Sequence, residues 1–176
     1  MANVQLDKVH SAINFTVKHM MVSKAKGEFQ DFDVDFQGDI NNLEDSKVKV
    51  TVDVNSIETN NEDRNGHLKS GDFFDAENHP HIVFESTSVR KLSESSFEVT
   101  GDLTIRGTTN QETFKVEFNG MAKDPMGGNM VAGFDVEGSL NREDYGLTWN
   151  AALETGGVLI GKEVNLTAGL EFVVEE

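Results

Sequence analysis

Apolar and polar residues alternate with a period of two through most of this chain, and no comparable stretch repeats at helical spacing. The clearest example is Lys47 to Asn55, where Val48, Val50, Val52 and Val54 point one way and Lys47, Lys49, Thr51 and Asp53 the other. That pattern is a strand with one dry face and one wet face. When nearly every element has this form, the dry faces must meet. Either two sheets stack or one sheet closes on itself. The choice bears on function, because a closed sheet can hold an apolar molecule inside it.

The alternation predicts about eight antiparallel strands. The first runs from Val9 to Met20, with Ile13, Phe15 and Val17 on the dry face. Glu28 to Gln37 follows, with Phe32, Val34 and Phe36 set against Asp31, Asp33 and Asp35, a face that must be solvated. The valine strand comes next. Strands resume at His81–Arg90, Ser96–Arg106, Thr113–Ala122, Met130–Asn141 and Glu163–Val174. The period of the His81 segment is unclear, because Ile82 and Phe84 compete with Val83 and Val89. Between Ser56 and Pro80 the period breaks. Thr59–Ser70 is expected to form a short helix weakened by Gly66, with Phe73 and Phe74 plugging one end of the core. Long connections of this kind tend to be functional, and this one is the candidate lid.

Glycines interrupt the dry faces at Gly101, Gly120, Gly138 and Gly169. Interior strand glycines permit sharp bends and leave empty space, which favours a barrel over a sandwich. The expectation is one all-β domain over residues 1–176.

Charge narrows the partners. The net charge is -16, from 15 basic and 31 acidic side chains. A surface this acidic repels phosphate backbones and anionic bilayers, so nucleic acid is not an expected partner. No apolar run approaches the roughly 20 residues of a membrane helix, so no stable membrane insertion is expected. With no cysteines, disulfides and thiolate chemistry are excluded. The opening MANVQLDKVHS lacks a basic segment followed by an apolar one. The expected location is therefore cytoplasmic, or secreted if a leader has been removed.

Several motifs resemble those of the YceI-like proteins, a family of lipocalin-like polyisoprenoid-binding barrels. Asp7-Lys8-Val9-His10-Ser11-Ala12-Ile13-Asn14-Phe15-Thr16-Val17-Lys18-His19 is similar to the family's opening. Ser56-Ile57-Glu58-Thr59-Asn60-Asn61 with Arg64, and His67-Leu68-Lys69-Ser70-Gly71-Asp72-Phe73-Phe74-Asp75, match its central segments. His79-Pro80 with Ile82, Phe84, Ser86 and Thr87, then Thr100 to Gly107, follow in order. Arg142-Glu143-Asp144-Tyr145-Gly146-Leu147 resembles its late element. Val4 stands where the family often carries Trp. The resemblance implies an eight-stranded antiparallel lipocalin-like β-barrel with a short helical segment closing one end. It also implies an apolar lumen that accepts an isoprenoid or similar long-chain amphiphilic lipid, and no catalytic residues.

On that reading the ligand-facing side chains are Phe15, Val17, Phe32, Val34, Phe36, Val50, Val52, Phe73, Phe74, Phe84, Leu103, Phe114, Val116, Phe134, Val136, Leu166 and Phe172. The chain has 12 Phe against one Trp and one Tyr. Phe has no polar tip to satisfy, which suits a dry wall, though strand Phe residues also simply fill cores.

The alternatives rest on fewer residues. His79 and His81 share one face if the segment is extended, a workable metal-ligand spacing, with His67 or Asp72 completing a site. Pro80 between them argues against a regular strand. His10 and His19 are an odd distance apart and face opposite ways on an unbulged strand. The expectation is no metal and no cofactor. Arg64, Arg106 and Arg142 are expected in structural ion pairs with Asp63, Asp102 or Asp144, or against a polar lipid head. No nucleophile elbow, phosphate loop or His-Glu-x-x-His pair occurs, so an enzyme is not expected. A barrel serving only as an interaction scaffold is the remaining reading. An exposed edge or lid would also let a homodimer form.

Overall fold

The computed structural model describes residues 3–151, 153 and 159–175. All eight expected strands are present, as β2 (Ala12–His19), β4 (Phe32–Asp39), β5 (Asn42–Asp53), β7 (His81–Lys91), β8 (Ser96–Ile105), β9 (Thr108–Lys123), β10 (Met130–Asn141) and β11 (Ile160–Glu175). Three short strands were not legible: β1 (Asn3–Leu6), β3 (Ser23–Phe29) and β6 (Ile57–Glu58). The count among the described residues is therefore eleven rather than eight. One helix, α1 (Glu62–Lys69), lies inside the segment expected to be helical, and the Asn61 side chain caps it by accepting from the Arg64 N–H at 3.0 Å.

Every ladder is antiparallel, in the order β4-β5-β7-β8-β9-β10-β11-β2-β3-β6, with β1 added to β11. The two ends of that order are joined through the chain, because β4 continues from β3 and β6 continues from β5 by way of Val54–Ser56. β3 pairs β2 along one edge, bends at Gln30 and Asp31, and continues as β4, which pairs β5. The Gln30 N–H donates to the Ser56 carbonyl at 3.1 Å, and the Asp53 N–H donates to the Asp31 carbonyl at 2.9 Å. These bonds carry the ladder across the bend, so the sheet curls round and meets itself as a barrel wall.

This closure explains why Glu28 to Gln37 is not one strand. A single strand must hand its pairing from β2 to β5, and the chain bends where it changes partner. Asp31, Asp33 and Asp35 nonetheless face solvent, and Phe32 and Val34 are buried, as the alternation requires. The unclear period of β7 has a similar cause. A register shift between Ser86 and Ser88 reverses side-chain parity, so Ile82, Phe84 and Val89 all face inward.

Packed side chains and fixed polar joints hold the end of the barrel at α1 together. Phe73, Tyr145 and Leu147 are buried there, and the Tyr145 hydroxyl donates to Glu112 Oε1 at 2.8 Å. Burial and the facing Glu112 carboxylate push the Tyr145 phenol well up, so it stays a donor. Asn65 is buried too. It accepts from the Thr59 N–H at 2.9 Å and from the Thr59 hydroxyl, and donates to Glu58 Oε2 at 2.7 Å. Its hydrogen bond is the main reason the Glu58 carboxyl lies below its usual range. Among the described residues no helix is long and apolar enough to cross a membrane.

Candidate functional site

The inward face does not fill the space it encloses. A cavity of about 580 Å³ runs within the barrel, inside the range of roughly 300–1,000 Å³ usual for small-molecule sites. Inward residues such as Val48, Val50, Phe114, Val116 and Leu166 are only half-buried, because their tips border this space. Of the side chains expected to face a ligand, all but Phe32 line the cavity. Phe32 shares the inward face of β4 and is buried, but it packs in the core outside the lining.

Glycine keeps the lumen open at two positions. Gly27 lies directly across from Phe15, and a Cβ there would fall 2.3 Å from Phe15 Cζ. A Cβ at Gly138 would fall 2.4 Å from Phe114 Cδ1. In both cases the ring lies back over a bare glycine instead of projecting into the lumen. The wall is aromatic without being thick.

Apart from Ser46 and Thr167, the polar side chains of the lining collect on the β2–β3 hairpin, on α1 with its approach, and at Arg142. These elements meet at one end. The Met20 N–H donates to the Leu159 carbonyl at 2.7 Å. The Arg142 guanidinium, buried, donates to the carbonyls of Leu147, Trp149, Ile160 and Gly161. The His67 ring stands edge-on to Trp149 at 4.7 Å and to Phe73 at 5.0 Å. His67 also meets Asp72 at 2.9 Å.

The three arginines correct one expectation. None makes an ion pair with a carboxylate among the described residues. Arg142 binds carbonyls, and burial holds its guanidinium below the usual value. Arg106 donates to the Phe73 carbonyl at 2.9 Å, and Arg64 to the Thr59 carbonyl at 2.7 Å. The reason is positional: Arg106 and Arg142 directly follow the ends of β8 and β10, Arg64 lies in the first turn of α1, and in each case the acceptors within reach are backbone carbonyls. Arg64 Nε is buried beside the lumen and has no acceptor among the described residues.

The histidines do not assemble as the metal alternative required. Among the described residues, His79, His81, His67 and Asp72 form no three-ligand group. The one such group is Asp7, His10 and Glu171, on the outside. Trp149 was missed altogether. It sits in a loop with no alternation to betray it, and the only hint was that it is the chain's single Trp.

The model of the YceI-like domain matches residues 4–172. The chain belongs to the YceI-like family. Relatives share the whole YceI-like sequence: a UPF0312 protein of Staphylococcus aureus strain N315 is 50% identical over 176 residues, covering all of both chains. Another, from strain MW2, is 51% identical over the same length. A Campylobacter jejuni YceI protein has a similar structure, at 29% identity and a TM-score of 0.77, over 90% of each chain. Burkholderia cenocepacia BcnA, at 22% identity, shares the fold with a TM-score of 0.82 over 94% of this chain and 98% of its own. A polyisoprenoid binding domain from Saccharophagus degradans, at 14% identity, shares it with a TM-score of 0.70 over 98% and 99%. In this YceI-like barrel, the polar motif residues Asp7, Asn61, Arg106 and Arg142 bond to backbone: Asp7 and Asn61 accept from N–H groups, and Arg106 and Arg142 donate to carbonyls.

Proposed function

We propose that this YceI-like domain binds an isoprenoid or similar long-chain apolar lipid in its lumen, for sequestration, transport or storage. The observation that carries this reading is the apolar cavity of about 580 Å³ inside the sheet. The tail lies among the expected side chains other than Phe32, with Phe15, Phe84, Phe114 and Phe134 as its aromatic wall. The head points to the end where Arg64 and His67 border the lumen, and Arg64 Nε, which has no acceptor among the described residues, offers it a donor. The protein acts by binding rather than turnover.

The energetics suit a long tail. A dozen methylene-sized groups leaving water contribute about 10 kcal/mol. Association costs about 4–15 kcal/mol, so short chains are held weakly. Native mass spectrometry of the purified protein is expected to show an apolar adduct that organic extraction removes. Ala168 lines the lumen, and Ala168→Trp is expected to abolish the adduct while the protein stays folded. Absence of any adduct, together with no saturable uptake of a fluorescent polyene fatty acid, refutes the reading.

A further inference from the structure

We infer that the tip of the β2–β3 hairpin is a docking surface for a bilayer bearing anionic phospholipids. The charge distribution points there first. From Lys8 to Gly27 the chain has no Asp or Glu, although its net charge is -16. Lys18, Lys24 and Lys26 of the hairpin are exposed, and none is in an ion pair among the described residues. Lys18 and Lys24 stand directly opposite each other across the ladder. Like charges in that position destabilise a hairpin, and an anionic surface relieves the repulsion. At physiological salt, charges beyond about 8 Å are largely screened, so the hairpin meets the bilayer on its own local charge.

The apolar tip supplies the second argument. Among the described residues, six large hydrophobics are exposed, and three of them are consecutive here: Met20 at 46%, Met21 at 54% and Val22 at 87%. Met20 and Met21 both hold left-handed backbone, with φ of 53° and 64°, and the Val22 N–H donates to the His19 carbonyl at 3.3 Å. Asn-Gly is the ordinary choice for two such positions, because other side chains are strained there. This hairpin instead carries flexible apolar side chains where folding alone favours small polar ones. A methionine-valine tip flanked by lysines is the arrangement that enters an interface while its charges meet lipid headgroups.

The position adds a consequence. Lys18, His19 and Lys26 border the lumen, so the docked face is one side of the rim. Asp63 of α1 also borders it, which leaves the hairpin as the side that meets the bilayer. Contact is peripheral and reversible.

Flotation of the full chain with vesicles tests this directly. Binding is expected to vesicles of phosphatidylcholine mixed with phosphatidylglycerol, not to phosphatidylcholine alone, and to weaken as salt is raised. Replacing Lys18, Lys24 and Lys26 together by Gln is expected to lower partitioning about 100-fold, at roughly five-fold per lysine near an anionic surface. Met20→Asn with Met21→Gly is expected to lower it about 10-fold, through lost apolar contact. That pair suits the turn, so it leaves thermal unfolding no lower than the parent's. Ala168→Trp is expected to keep vesicle binding, which separates docking from the lumen's cargo. No binding to the mixed vesicles, equal binding to both kinds, or full binding by both hairpin variants overturns the inference.

Discussion

Replacing Gly27 by alanine tests whether the lumen stays open because phenylalanine rings lie back on its wall. The new methyl would sit 2.3 Å from Phe15 Cζ and 2.7 Å from Cε1. Non-bonded carbons settle at roughly 3.5–4.0 Å, so the ring tip must retreat by about 1.5 Å. The wall blocks one side, and the ring moves into the cavity. Gly27 has ordinary strand backbone, so alanine adds no strain and gains about 0.5–1 kcal/mol over glycine. The displaced ring loses about 0.5–1.5 kcal/mol in an off-rotamer position. These nearly cancel, and stability is expected to stay within about 1 kcal/mol of the parent in urea unfolding. Binding is not spared. Losing space for one or two methylene-sized groups, at about 0.8 kcal/mol each, weakens affinity by roughly 4- to 15-fold. Titration with a fluorescent polyene fatty acid reads that loss. Gly138→Ala, which presses on Phe114, repeats the test at a second point. Unchanged affinity with a stability loss above about 3 kcal/mol refutes the reasoning, because the ring would then have no open space to enter.

Two further outcomes follow from the joints. Arg142→Met leaves the carbonyls of Leu147, Trp149 and Ile160 without their shared donor. It is expected to destabilise the protein by about 3 kcal/mol in denaturant, and Arg142→Lys, lacking the planar fork, recovers only part of this. On the outer surface, the Asp7 side chain holds the His10 imidazole above its ordinary 6.5, with Glu171 adding to it, and His10 in turn holds Asp7 below 3.8. The raised His10 value means its contribution to stability is full below 6.5 and fades as pH rises through the raised point. The lowered Asp7 value means its contribution is present above 3.8 and fades as pH falls through the lowered one. An NMR titration is expected to place His10 above 6.5 and to move it back towards 6.5 in Asp7→Asn; an unmoved midpoint contradicts the pairing.

The strands with a long, regular period were legible because a half-buried strand writes its two faces into sequence. β4, β5, β9, β10 and β11 were found that way. β3 was not, since Ser23, Ala25 and Gly27 on its inner face carry almost no hydrophobic signal. Gly27 is bare because Phe15 lies over it, a fact of pairing rather than of local pattern. β1 and β6 are too short to show a period. The lumen wall was largely legible for the same reason as the strands, whereas Trp149 and Leu159 lie in irregular chain and are held at the cavity by long-range contacts, among them the bonds of their carbonyls to Arg142 and Met20.

Alternation by itself determined which side chains turn inward, because successive residues of a strand must point to opposite faces. It could not determine how far the opposite walls stand apart. That distance depends on which strands pair, where β3 becomes β4, and which rings find a glycine to lie against. Those are relations between residues far apart in the chain, so only the folded barrel decides that its inward faces enclose a space instead of touching.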